Sequence, residues 1–161
     1  MRNRLSIGIL LLVLVPAIGA PLAAQTAADH GAVRFVAGAA KLYIDEPWQS
    51  AWGGSVRLRV YKRLSVEPEL VFSPGSQYQQ WSFVPNLVLD LREPDGRVTP
   101  YVIGGAGYLH KLEKSINYRS GGPAWNGGIG VRIRAGARAF VAPEFRLGYI
   151  SRFVVSAGYS F

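Results

Sequence analysis

Hydrophobicity with a period of two recurs about eight times along this chain, and no other feature of the sequence constrains the fold as tightly. It is clearest at residues 81–92, where Trp81, Phe83, Pro85, Leu87, Leu89 and Leu91 share one face opposite Ser82, Val84, Asn86, Val88, Asp90 and Arg92. Alternation sustained this long predicts a half-apolar strand. No stretch beyond residue 31 has a convincing helical period, so an all-β fold is expected. There is no cysteine. The fold must close by hydrogen bonding and packing alone.

The alternation predicts strands at residues 32–44, 53–61, 65–73, 81–92, 98–110, 124–135, 138–149 and 153–161. The first has Val33, Phe35, Ala37 and Ala39 on one face and Arg34, Val36, Gly38 and Ala40 on the other, with parity blurring at Lys41. Turns are expected at Lys62-Arg63, at Glu93-Pro-Asp-Gly96 and across residues 135–137, because Pro presets φ and Gly permits φ > 0. Residues 45–50, with Gly53-Gly54, and residues 74–80 read as loops, and residues 111–122 as the longest loop. The link at residues 150–152 is short. Short turns on one rim and longer loops on the other are the layout of an outer-membrane barrel.

Alternation alone does not say whether the apolar face points into a core or out into lipid. The charges decide. Arg57, Arg59, Glu67, Glu69, Asp90, Arg132, Arg134, Glu144 and Arg146 all fall opposite the apolar face, in neighbouring strands and in both signs. Arg57 and Arg59 are expected to face Glu67 and Glu69 across an antiparallel pair. The interior of an eight-stranded barrel is one that side chains just fill, so such a set forms a paired network there. Two unit charges 4 Å apart gain roughly 4 kcal/mol at an effective dielectric of 20. Desolvation takes several kcal/mol per ion, so the net is near zero and the penalty falls on stranding one partner. Glu144→Ala is therefore expected to cost more than the double change with Arg146→Ala.

The aromatics of the apolar face gather toward strand ends, with Trp52, Trp81, Trp125, Tyr149 and Phe153 on the loop rim and Tyr101, Tyr159 and Phe161 on the turn rim. Interfacial girdles have this distribution. The last strand is expected to pair with the seventh and with residues 32–40 of the first, since lipid offers free backbone groups no partner.

Residues 1–24 begin Met-Arg-Asn-Arg, continue through an apolar run from Ile7 to Val15 and end on small residues, the pattern of a cleaved signal peptide. The strongly apolar run is too short for a transmembrane helix, which needs about 20 residues. A tail at residues 25–31 and one domain at residues 32–161 are expected to follow. Loss of Arg2 and Arg4 would leave 16 of the 18 basic residues against 10 acids, a net charge of +6 instead of +8. An exported basic surface points to lipid or lipopolysaccharide phosphates, and no basic run of the kind nucleic-acid tails carry is present.

Pro100-Tyr-Val-Ile-Gly-Gly-Ala-Gly-Tyr108, Ala142-Pro-Glu-Phe-Arg-Leu-Gly148 and Gly158-Tyr-Ser-Phe161 resemble the outer-membrane β-barrel domain family, the small eight-stranded porin-like, OmpA-like and OmpX-like barrels of the Gram-negative cell envelope. The resemblance covers residues 31–161. It implies an all-β, eight-stranded antiparallel up-and-down transmembrane barrel, monomeric, in the outer membrane. It also implies that Phe153, Val155, Tyr159 and Phe161 form the signal read by the barrel-assembly machinery, with Ala157 a weak member. That family is functionally mixed, so the likeness implies place more than activity.

The leading functional expectation is a structural or surface-interaction protein without catalysis or cofactor. Lys111, Lys114 and Arg119 in the longest loop, with Lys41 on the same rim, are candidate lipopolysaccharide contacts; a solvated loop without a partner is the alternative. A soluble periplasmic lipocalin-like ligand-binding barrel shares the alternation. A lipid A deacylase or palmitoyltransferase would need a nucleophile, a base and a carboxylate in reach. His30 and His110 are the sole histidines, neither in a His-x-Ser-Asn pattern, and two distant histidines without cysteine form no metal cluster. A diffusion channel conflicts with a filled interior.

Overall fold

The computed structural model describes residues 31–41, 48–75, 78–94, 96–114, 116–149 and 151–161. The expected signal peptide and nearly all of the expected tail, His30 included, lie outside the described residues. Eight strands follow one another: β1 (Gly31–Lys41), β2 (Gln49–Tyr61), β3 (Leu64–Pro74), β4 (Tyr78–Asp90), β5 (Val98–Glu113), β6 (Tyr118–Arg134), β7 (Ala139–Gly148) and β8 (Ser151–Ser160). Each pairs antiparallel with its neighbours and β8 pairs with β1, so the sheet is a closed up-and-down barrel. The seam runs from Lys41↔Ser151 to Ala32↔Ser160, as the period of the last strand predicts. Phe161 lies just past β8 and still exchanges backbone hydrogen bonds with Gly31, at 3.2 and 2.9 Å. Closure leaves no sheet edge within the seam.

The turn rim holds Lys62-Arg63, where Lys62 takes φ 32°, the Glu93 turn, and Gly136 at φ 151°. The loop rim differs from expectation. Residues 111–122 are not one long loop: β5 and β6 continue as a hairpin until Glu113 pairs with Tyr118. Likewise Tyr78–Gln80 belong to β4, and β2 starts at Gln49 instead of residue 53. Gly53 and Gly54 therefore make no turn. Gly53 serves close approach, since a Cβ there would overlap the Leu70 carbonyl and lie 2.8 Å from the Val71 Cα. Arg92 lies beyond β4, while Arg152, expected in a link, is inside β8.

The outward face follows the predicted parity almost throughout. Val33, Phe35, Leu58, Leu70, Phe83, Leu87, Ile129, Phe145, Phe153 and Val155 are all exposed. Two expected outward aromatics instead turn inward. Tyr101 is 1% exposed, because Gly130 faces it across β5 and β6 and leaves room for its ring. Tyr149 packs on an inner cluster of Ala40, Ala51, Val71, Leu109 and Ala124. Gly148, at φ 150°, breaks the alternation just before it.

Candidate functional site

The barrel lumen is the place where functional side chains converge. Every second residue of each strand points into it, so its chemistry is set by eight interleaved half-sequences. Toward the loop rim it is lined by the small apolar cluster around Val71 and Leu109, and toward the turn rim by Ala32, Val88, Tyr101, Ile103, Phe140 and Ala142. Beside these runs a buried ionic network.

Glu67 is the first hub. Its two carboxylate oxygens accept from Arg34 Nη1 and Arg57 Nε, both at 2.5 Å, and Ser55 Oγ donates to it at 2.9 Å. Glu144 is the second, accepting from Tyr101 Oη at 2.6 Å, from Arg146 Nη2 at 2.5 Å, and from Arg34. Glu69 is the third: Arg146 reaches both of its oxygens, at 3.2 and 3.0 Å, and Arg152 donates to it from β8. Arg34 and Arg146 thus bridge the three carboxylates across the lumen. Asp90 stands somewhat apart, 2.8 Å from Arg132 and 4.0 Å from Arg57. Among the described residues, Arg34, Arg57, Arg132, Arg146 and Arg152 are buried against Glu67, Glu69, Asp90 and Glu144. Five cations against four anions leave the network close to neutral.

Seven of the nine residues expected in the interior network are joined in this way. Arg59 is not: the ladder sets it opposite Ser65 instead of a glutamate, and its Nε makes no hydrogen bond to a described residue. Arg134 sits at the turn rim and donates to the Pro94 carbonyl at 3.1 Å. The structure adds Arg34, Arg152, Tyr101 and Ser156, whose Oγ accepts from Arg34 at 2.6 Å. Arg34 was legible, since it falls on the inner parity of the first strand. Arg152 was hidden by the short link before it.

The outer face inverts this chemistry. Between the two rims the outward positions carry no charge among the described residues. On the loop rim Trp52 packs edge-on against Phe72 at 5.2 Å, and Trp81 meets Tyr108 at 6.4 Å and His110 at 5.6 Å. His110 is thereby placed in an aromatic girdle. Phe153, Val155 and Tyr159, three of the expected assembly-signal residues, form the outward face of β8, and Phe161 follows at the seam.

Of the candidate lipopolysaccharide contacts, Lys111, Lys114 and Arg119 ride the β5–β6 hairpin. Lys111 Nζ lies 3.6 Å from the centre of the Tyr78 ring, and Lys114 Nζ donates to the Gly75 carbonyl at 2.8 Å. Lys41 ends β1, four strands from β5 and three from β6 around the ring. The structure does not bring it to the other three.

No protein-family model and no curated protein matches this sequence. Solved structures do match. The N-terminal β-barrel domain of Pseudomonas aeruginosa OprF aligns at a TM-score of 0.67 and 13% identity, covering 81% of this chain and 97% of that one. Neisserial surface protein A aligns at 0.62 and 11%, covering 81% and 96%. A de novo designed transmembrane β-barrel aligns at 0.56 and 15%, covering 83% and 96%. Identities this low carry architecture alone. With an apolar exterior that carries no charge between the rims among the described residues, aromatic girdles and an ionic lumen, the chain is an eight-stranded antiparallel transmembrane β-barrel, built as the small barrels of the bacterial outer membrane are.

Proposed function

We propose that this protein is an integral, monomeric outer-membrane barrel that acts in envelope structure or surface interaction and carries no catalytic centre. The observation that supports this most is the inversion of polarity: nine buried charges inside, none among the described outward positions between the rims. A soluble ligand-binding barrel needs the opposite, an apolar cavity and a charged exterior. The four carboxylates of the lumen are all paired with guanidiniums, and Glu67 and Glu144 are each held by three residues. A diffusing acyl chain or solute would have to displace them. The outward side chains of β8 with Phe161 are read as the signal recognised by the assembly machinery.

Fractionation tests the reading. The protein is expected with the outer membrane, and a folded sample is expected to migrate differently on a denaturing gel before and after boiling. Release with the soluble periplasmic fraction would overturn it.

The hairpin carries the proposed surface contact. Lys111, Lys114 and Arg119 stand beyond the Trp81 girdle, where lipopolysaccharide phosphates lie, and each is worth about 1 kcal/mol near an anionic surface. Changing all three to Gln is expected to lower recovery in a lipopolysaccharide pull-down at least tenfold, while Lys41→Gln, across the barrel, has a smaller effect. Recovery unchanged in the triple variant would remove the contact and leave a solvated hairpin.

A further inference from the structure

Each of the three turns on the rim opposite the β5–β6 hairpin carries two basic side chains: Lys62 and Arg63 between β2 and β3, Arg92 and Arg97 between β4 and β5, and Arg134 and Arg138 around the turn from β6 to β7. The same turns hold two acids, Glu93 and Asp95, so six basic residues keep a surplus of four positive side chains. Arg63 is paired with Glu93 at 2.5 Å and Arg134 donates to the Pro94 carbonyl at 3.1 Å. Lys62, Arg92, Arg97 and Arg138 are exposed. We propose that this basic collar binds the headgroups of anionic phospholipids of the phosphatidylglycerol type in the leaflet around it.

Depth favours a lipid over a partner in solution. The apolar outer face stops one residue short of the cations: Leu91 precedes Arg92, Val98 follows Arg97 and Ile133 precedes Arg134, all three apolar side chains being exposed. At about 3.3 Å per strand residue, the cations stand within about 7 Å of the last lipid-facing side chains. The polar layer of a bilayer is roughly 5–8 Å thick on each side, so this is the level of the phosphates. Long basic side chains reach it by laying their stems along the apolar wall.

Two of the cations are also set beside outward tyrosines. Between β2 and β3 the register slips from Arg59↔Ser65 to Tyr61↔Leu64, so Val60 is an extra residue and both Val60 and Tyr61 are exposed. Lys62, at φ 32°, then carries its Nζ to 5.4 Å from the centre of the Tyr61 ring. On the other side of the seam Arg138 donates to Tyr159 Oη at 3.3 Å. Tyrosine is at home at the membrane interface, and a cation beside it faces the headgroup layer. Each basic side chain near an anionic surface strengthens association about fivefold, so several on one ring select anionic over zwitterionic lipid.

The test reads the lipid composition at this rim alone. The chain has no cysteine, so Ala137→Cys, in the exposed turn beside Arg138, carries a single fluorophore there. The labelled full-length barrel is folded into mixed phosphatidylcholine and phosphatidylglycerol vesicles, with a nitroxide near the headgroup of one lipid or the other at equal content. Quenching by labelled phosphatidylglycerol is expected to exceed quenching by labelled phosphatidylcholine roughly threefold at low salt. Combining Lys62→Gln, Arg92→Gln, Arg97→Gln and Arg138→Gln is expected to remove the difference. Raising the salt is expected to weaken it in the wild type, since exposed charges are screened beyond about 3 Å at 1 M. Equal quenching by the two lipids in the wild type overturns the proposal, as does a preference that survives either the four changes or high salt. Polyglutamate that binds the barrel in pure phosphatidylcholine vesicles and abolishes the preference in mixed ones assigns the collar to an acidic chain in solution, and overturns it too. The proposal rests on the membrane reading above, and the two fail differently. Failure of that reading gives no quenching by either lipid and no change of gel mobility on boiling, which overturns both, whereas failure of the collar alone gives equal quenching in a barrel whose mobility still shifts.

Discussion

Glu69→Ala is expected to destabilise the barrel by about 3–5 kcal/mol, the loss that follows when one partner of a buried ion pair is removed. Glu69 holds Arg152, which is 2% exposed and has no other carboxylate among its ion pairs with described residues. Arg146, its second partner, keeps Glu144 at 2.5 Å. The single change therefore strands one buried guanidinium completely and moves the network from five cations against four anions to five against three. Removing the stranded charge as well, in Glu69→Ala with Arg152→Met, restores the original surplus of one. The double variant is expected to recover at least half of the loss in urea unfolding from lipid vesicles. A double variant as unstable as the single one would show that Arg152 finds water or lipid phosphate instead. Glu144→Ala should fall between wild type and Glu69→Ala, because Arg34 and Arg146 each keep a second carboxylate. It should still cost more than its double with Arg146→Ala.

Most of this arrangement was legible wherever a strand carries side chains of contrasting character on its two faces. Strands such as β3 and β4 state their own orientation, because Glu67 and Glu69 on one side and Leu70 and Phe72 on the other permit one register only. Legibility failed for three physical reasons. In β5, Gly104, Gly105 and Gly107 carry no side chain to report parity, so Tyr101 was assigned to lipid although it points inward. At Gly148 a left-handed backbone turns Tyr149 to the other face, which no alternation rule foresees. Beyond the girdle both faces of a strand meet water, the contrast disappears, and the ends of β5 and β6 read as loop although the ladder continues to Glu113↔Tyr118. The isolation of Arg59 was out of reach for a different reason. It was visible as an interior charge, but its distance from the glutamates depends on register: Arg59 meets Ser65, Glu67 pairs with Arg57, and Glu69 is drawn to Arg146 and Arg152.

Gly130→Val is the second change with a large expected effect, and it tests the inward turn of Tyr101 directly. A Cβ at Gly130 would lie 2.5 Å from Tyr101 Cζ and 2.6 Å from its hydroxyl oxygen, so ring and side chain would occupy the same space. The ring would have to leave both the Glu144 carboxylate, 2.6 Å from its hydroxyl, and the Arg57 guanidinium beneath it. Overpacking of this kind costs about 1–3 kcal/mol and a lost hydrogen bond to a charged group about 1.5–3 kcal/mol, so a total on the order of 4 kcal/mol is expected. Gly127→Val on the same strand is the control. A Cβ there meets nothing within 4 Å, and its side chain would project outward on the same parity as Trp125 and Ile129. That variant should unfold within about 0.5 kcal/mol of wild type, as changes away from packed sites do. If Tyr101 is the obstruction, Tyr101→Ala in the Gly130→Val background should cost much less than it does alone, since the space is then filled once instead of twice. Equal stability of the Gly130 and Gly127 variants would place the Tyr101 ring outside the lumen and remove the platform on which Arg57 is held.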